Sequence, residues 1–212
     1  CEQTAGVGRR GSLWQSPPAG NLYLSYCVHS GRPLSELSLW SLGVTVAVAD
    51  ALERELSLEC KIKWPNDLYL NGMKVGGVLL ETASLPSDDV AVVIGVGLNV
   101  ASHPDPALLQ RPVTCVSKHT DTSVDLSMVA AVVSAALVDM CHLSHAALLA
   151  WLMSSWPSRD MLLNQPVAVP TLGEGLGIAR GLSHDGGLEV EFAGELRTVY
   201  AGEVSLGHVD TQ

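Results

Sequence analysis

Lys61-Ile62-Lys63-Trp64-Pro65-Asn66-Asp67-Leu68-Tyr69-Leu70-Asn71-Gly72-Met73-Lys74-Val75-Gly76-Gly77-Val78-Leu79-Leu80-Glu81 carries the densest structural signal in the chain. From Cys60 to Trp64 polar and apolar residues alternate, as in a half-buried strand, and Pro65 stops the run. Asn71-Gly72 is the pair that best satisfies the positive φ angles of a type I′ turn, so Asp67 to Leu70 and Met73 to Glu81 are expected to form a hairpin.

Working outward, Pro17-Pro18-Ala19-Gly20 breaks the chain before an expected strand over Asn21 to Val28. Ser35 is a candidate N-cap for a long helix whose apolar residues Leu39, Leu42, Val46, Ala49, Leu52 and Leu56 step by three or four. Ala91 to Val100 is a continuous apolar run, expected to be a fully buried strand in which Gly95 and Gly97 let a ligand or another backbone approach. Asp125 is expected to cap a helical region reaching about Trp156, broken near His142 to His145 and interrupted by Pro157. Beyond Asn164, Val167 to Val169, Gly177 to Ala179, Leu188 to Phe192 and Thr198 to Ala201 are short β-type runs between glycine turns, which suggests a small barrel.

Bulk properties narrow the class of protein. With 212 residues, 47% of them hydrophobic, the chain can bury one sizeable core or a core plus a small satellite. Its longest apolar stretch, Met128 to Val138, falls short of the roughly 20 residues a membrane helix needs and reads as a buried helix. The opening Cys1-Glu2-Gln3-Thr4 lacks the basic-then-apolar lead of a secretory signal. Cys1, Cys27, Cys60, Cys115 and Cys141 are odd in number, scattered and never C-x-x-C, which argues against a disulfide framework or a zinc site and for a reducing, cytoplasmic setting. A net charge of −10 disfavours wholesale nucleic-acid binding, so the basic residues matter one by one.

Four segments can carry chemistry. Ala5-Gly6-Val7-Gly8-Arg9-Arg10-Gly11 sets free backbone N–H groups beside two guanidinium groups, a combination that can hold a phosphate, although glycine turns with solvated arginines are common. Lys63-Trp64-Pro65-Asn66-Asp67 gathers a cation, an amide and a carboxylate at a strand end; Asn-Asp after Pro is also an ordinary turn. Lys74 could pair with a substrate carboxylate and a phosphate, or stand exposed on an edge strand as an aggregation guard. Gly95-Val96-Gly97-Leu98-Asn99 puts an amide at the end of an apolar strand, where it could read a heterocycle or simply end the strand. His142 and His145 are one helical turn apart with no third ligand, so no metal site is assigned to them.

Taken together, Gly6-x-Gly8-Arg9-Arg10-Gly11-x-x-Trp14, Lys63-Trp64-Pro65-Asn66-Asp67, Lys74-x-Gly76-Gly77-Val78-Leu79 and Gly95-x-Gly97-x-Asn99 resemble, in order and approximate spacing, the biotin-protein ligases. The resemblance implies an α/β (α+β) catalytic domain with a mixed sheet, related to class II aminoacyl-tRNA synthetases, over 1–160, and an SH3-like barrel over 164–212. It implies that biotin and ATP, with Mg2+, are the small-molecule substrates, and that a lysine on the biotin-carrier domain of a carboxylase is the acceptor. Gln3, Gly8, Arg9, Arg10, Lys74, Gly76 and Gly77 would meet biotin. Arg10, Trp14, Lys63, Asn66, Asp67, Lys74 and Asn99 would meet ATP or the adenylate. Lys74 and Arg9 would be catalytic, with Lys74 drawing the biotin carboxylate and the α-phosphate together.

The sequence departs from the family pattern in two places. Val7 stands where the family usually has Arg. Family catalytic domains also begin upstream, with a strand, a helix and a Ser/Thr-rich biotin-contacting motif for which this sequence shows no counterpart, and the helix-turn-helix of DNA-binding regulatory members is likewise not seen. Family members often pair through sheet edges, which leaves a homodimer open. Two other readings share the fold: a lipoate or octanoyl ligase, which should carry a glycine run and a histidine in place of Lys63-Trp64-Pro65-Asn66-Asp67, and a non-catalytic biotin- or adenylate-binding fragment.

Overall fold

A computed structural model describes residues 2–32, 34–85, 90–109 and 111–207. It is a mixed α/β fold with two five-stranded sheets. The first sheet contains β1 (Leu22–His29), β2 (Lys61–Lys63), β3 (Asp67–Leu70), β4 (Met73–Ser84) and β5 (Val90–Leu98) in the order β1-β5-β4-β3-β2. Asn71 and Gly72 have φ of 47° and 74°, the left-handed pair that the β3–β4 turn demands.

Every ladder in this sheet is antiparallel, and parallel contact is confined to isolated bridges such as Ile62 to Asp160 and Lys74 to Val113, so the expected mixed sheet is corrected in that detail. β5 is also not fully buried. Its residues alternate between buried and half-buried, because Val92, Ile94, Val96 and Leu98 face the core while Val93, Gly95 and Gly97 face a cavity.

One face of the sheet is covered by helices. α1 (Trp40–Leu56) buries Val44, Val46, Val48 and Leu52 completely and packs on β4 and on α3 (Leu126–His142). A 3-10 turn over Leu34–Leu39 precedes α1, so the α-helix starts later than a cap at Ser35 would place it; the side chain of Ser35 lies outside the described residues. A short α2 (Pro106–Leu109) follows β5. Asp125 caps α3 by accepting from Ser127 N at 2.8 Å, and Ser144 caps α4 (His145–Arg159) through Ala147 N at 3.2 Å. α4 runs two residues past Pro157 rather than stopping there.

The second sheet holds β6 (Pro166–Ala168), β7 (Gly177–Leu182), β8 (Leu188–Phe192), β9 (Glu195–Val199) and β10 (Ser205–Leu206), ordered β10-β6-β7-β8-β9 and antiparallel throughout. Its end strands β9 and β10 are not paired, so the described residues form an open sheet rather than a closed barrel. Val167, Ala179, Leu188 and Val190 join the same core as α1 and the first sheet, and the Trp64 indole N–H donates to Gly186 O at 3.1 Å. That docking carries the Gly202–Glu203 turn to the rim of the cavity described next.

Candidate active site

The open face of the first sheet forms the floor of a cavity of about 550 Å³. Register explains its shape. Tyr23 on β1 stands opposite Gly97 on β5, Gly97 opposite Gly77 on β4, Gly77 opposite Asp67 on β3, and Asp67 opposite Lys63 on β2. Directly opposed residues share a face. The row is therefore a trough, bare where the two glycines meet and charged toward β2.

Lys74 reaches this trough because of a bulge. In a regular strand Lys74 and Gly77, three positions apart, would point to opposite faces. The β3–β4 register instead shifts between Leu68 and Tyr69, pairing Leu68 with Gly76 and Tyr69 with Lys74. Val75 is left over, and Lys74 Nζ lies 3.6 Å from where a Gly77 Cβ would stand. β4 is also central in the sheet, so Lys74 is no edge-strand guard: it is 7% exposed.

The Lys74 ammonium donates to Asp67 Oδ1 at 2.5 Å and sits 5.6 Å from the Trp14 ring centroid. Burial pushes its pKa down, and the charges of Arg111 and Lys63 push the same way, while Asp67 opposes them. Lys63 is likewise lowered, first by burial. It stands at the β2 end of the row but does not itself line the cavity.

The N-terminal loop folds over the trough, from Trp14 on Gly97 to Arg9 beside Asn66. Gly8 N donates to Ser12 O at 2.7 Å and Trp14 N to Gly6 O at 2.9 Å, with a bridge between Val7 and Leu13. Arg10 takes φ 57°, ψ 28°, a left-handed kink that turns the chain back. Gln3, Gly8, Arg9 and Arg10 all line the cavity. Arg9 Nη1 donates to Asn66 Oδ1 at 3.5 Å, and burial, with Arg10 beside it, lowers the Arg9 pKa. Gln3 Oε1 accepts from Ser16 Oγ at 3.0 Å.

Asn66 is 7% exposed, and its side-chain amide donates to Val78 O. Asn99 lines a small adjoining cavity with Trp14, Lys74 and Arg111; its amide donates to Thr114 O at 3.0 Å, and its buried Oδ1 has no partner among the described residues. Gly76 is the exception among the expected site residues. A Cβ there would meet Gly97 O at 2.7 Å and the Leu98 and Leu68 side chains, so its bare face is turned toward the sheet interior and only Gly77 opens on the trough.

Sequence reasoning missed Tyr23, Ser25, Arg111 and Glu203, all of which line the cavity. Tyr23 and Ser25 share a strand face by alternation, a signal that becomes useful once the β1–β5 register is known. Arg111 and Glu203 lie in loops and carry no local pattern. Among the described residues no group of three His, Cys, Asp or Glu side chains is placed to hold a metal, His142 and His145 included.

Comparisons with known proteins give the family. Residues 1–99 match the biotin/lipoate A/B protein ligase family, and residues 162–207 match the biotin protein ligase C terminal domain. The chain is 33% identical over 208 residues to the bifunctional ligase/repressor BirA of Escherichia coli, covering 96% of this chain but 64% of that protein. It is 31% identical over 213 residues to the biotin--[acetyl-CoA-carboxylase] ligase of Paracoccus denitrificans, covering 97% of this chain and 88% of the relative. The biotin protein ligase of Aquifex aeolicus, solved in complex with biotin and ATP, superposes with a TM-score of 0.73 at 29% identity over 97% of this chain and 86% of that one. With its motifs gathered on one trough and relatives matching along nearly its whole length, the chain belongs to the biotin protein ligase family.

Proposed function

We propose that this chain is the catalytic unit of an ATP-dependent ligase that joins biotin to AMP and passes the biotinyl group to a lysine on the carrier domain of a biotin-dependent carboxylase. The observation that carries the reading is the bulge-directed placement of Lys74 in a glycine-floored trough, with Arg9, Asn66 and Asp67 within its reach. Gly77, with no side chain, stands beside a partly desolvated cation under the Trp14 indole, a setting that suits a ligand whose carboxylate reaches Lys74.

In the first half-reaction a biotin carboxylate oxygen attacks the α-phosphorus of ATP, and pyrophosphate departs with the electron pair of the broken P–O bond. Two anions must meet for this to occur. Lys74 and Arg9 offset their repulsion, and burial strengthens that effect by lowering the local dielectric. In the second half the acceptor lysine attacks the acyl carbon, releasing AMP, with no covalent enzyme intermediate. The 6–14 loop shields the anhydride from water.

Trp14 and Asn99 would meet the adenine, Gln3, Gly8 and Gly77 biotin, and Arg10 and Lys63 the phosphates. Mg2+ would enter on the triphosphate, with Asp67 as a carboxylate of the trough that could meet it. Residues 1–160 are assigned as the catalytic unit, of class II synthetase-like topology, and 164–212 as an SH3-like module. β1 is an edge strand and would serve a homodimer of the kind the family forms. No helix among the described residues is long and apolar enough to cross a membrane; the proposed cytoplasmic setting rests on the scattered, unpaired pattern of the cysteines.

A lipoate ligase is less favoured, because the match over 162–207 is to a biotin-ligase domain and Lys63-Trp64-Pro65-Asn66-Asp67 is intact. Calorimetric titration with biotin and with lipoate tests the choice. Heat with biotin alone supports the assignment; heat with lipoate alone reverses it.

A further inference from the structure

We propose that Arg111 binds the nucleotide phosphates that leave as pyrophosphate, acting as a third cation beside Lys63 and Lys74. The inference rests on the ligase reading above and adds a residue that none of the four motifs contains.

The backbone around Arg111 is stitched to β4 at Lys74 itself. Lys74 N donates to Pro112 O at 3.0 Å, Thr114 N donates to Lys74 O at 2.9 Å, and Lys74 and Val113 form a parallel bridge. The height of the 111–114 segment over the trough is thus set by the residue at its centre. The Arg111 side chain is exposed, lines both the large cavity and the small one beside Asn99, and makes no hydrogen bond or ion pair among the described residues.

Its charge nevertheless acts on its surroundings. It disfavours protonation of Lys63 and Lys74 and favours ionisation of Tyr69, whose phenol burial and Asp67 nonetheless push up to about 12. The carboxylate at the middle of this group, Asp67, is already engaged by Lys74 at 2.5 Å. Five of the twelve Lys and Arg residues, Arg9, Arg10, Lys63, Lys74 and Arg111, therefore converge on one face of a chain whose net charge is −10. Mutual repulsion there is relieved when an anion enters.

Charge demand picks out which anion. The biotin carboxylate and the α-phosphate are met by Lys74 and Arg9, whereas the β- and γ-phosphoryl groups carry the larger charge and gain more as the bond to the α-phosphorus breaks. A guanidinium can take two phosphate oxygens at once, which makes Arg111 suited to the departing pyrophosphate. Lys63, at the β2 end of the row, extends the same cationic run.

The test titrates the full chain and its Arg111→Ala and Arg111→Lys variants with inorganic pyrophosphate and, separately, with biotin, and measures KM for ATP. Arg111→Ala should weaken pyrophosphate binding and raise the ATP KM by about tenfold each, the loss of a charge-assisted contact, with biotin affinity unchanged. Arg111→Lys should recover part of both losses. Wild-type pyrophosphate affinity in Arg111→Ala, or equal weakening toward biotin and pyrophosphate, would overturn the role of Arg111. A wild-type chain that binds neither probe would instead remove the ligase reading beneath it.

Discussion

The Trp14 indole occupies the space that a side chain on Gly97 would need: a Cβ built on Gly97 falls 2.5 Å from Cζ2 and 2.7 Å from Cε2 of the ring. The N-terminal loop is thereby seated on the floor of the trough, and its seat requires a bare backbone near the C-terminal end of β5. Gly97→Ala should push the indole off the strand and weaken adenylate binding by tenfold or more, a loss of about 1.4 kcal/mol or greater. Fluorescence of the variant, compared with a Trp14→Phe control, reads the displacement; an unchanged emission spectrum and unchanged affinity would contradict it.

Lys74→Ala should abolish adenylate formation while the fold survives. Removing a buried ammonium that burial already disfavours relieves a desolvation cost, and Asp67, left behind, is partly open to solvent. Thermal melting should therefore move little. Pyrophosphate release near the wild-type rate would refute the assigned role.

The alkaline limb of activity should lie below the range of an ordinary lysine, since Lys74 must be protonated and burial, Arg111 and Lys63 lower its pKa. Stability and activity part company here. The folded chain holds this proton less tightly than the unfolded one, so between the two pKa values folding stability rises with pH while catalysis falls. Asp67 raises the Lys74 pKa, so Asp67→Asn should move the limb of kcat/KM further toward acid. A limb displaced toward alkali would reverse the sign of the argument.

Arg9 lies half-buried in the loop over the trough, tied to Asn66 at 3.5 Å. Arg9→Ala should loosen retention of the adenylate more than it slows its synthesis, visible as faster release of labelled biotinyl-adenylate in a rapid-dilution experiment. Slower leakage from the variant would contradict this.

Much of this architecture can be read from the sequence wherever a local rule has a single solution. Asn71-Gly72 allows one hairpin geometry, Asp125 and the residues after it one kind of helix start, and the glycine-rich texture after Asn164 a β module. Long-range placement is less accessible. Nothing local says that Val75 is looped out of register, yet that bulge brings Lys74 onto the face of Gly77 and leaves Gly76 turned inward. Arg111 and Glu203 reach the cavity through loops whose paths depend on contacts far along the chain, so no periodicity or motif marks them. The open end of the second sheet was hidden for the same reason, since strand runs specify strands and not which of them close a barrel.

Biotin-dependent exchange of labelled pyrophosphate into ATP tests the central claim most directly, because it isolates the first half-reaction and needs no acceptor protein. The account predicts exchange that requires biotin, is not supported by lipoate, and disappears in Lys74→Ala. Exchange that proceeds without biotin, or that persists undiminished in Lys74→Ala, would contradict it.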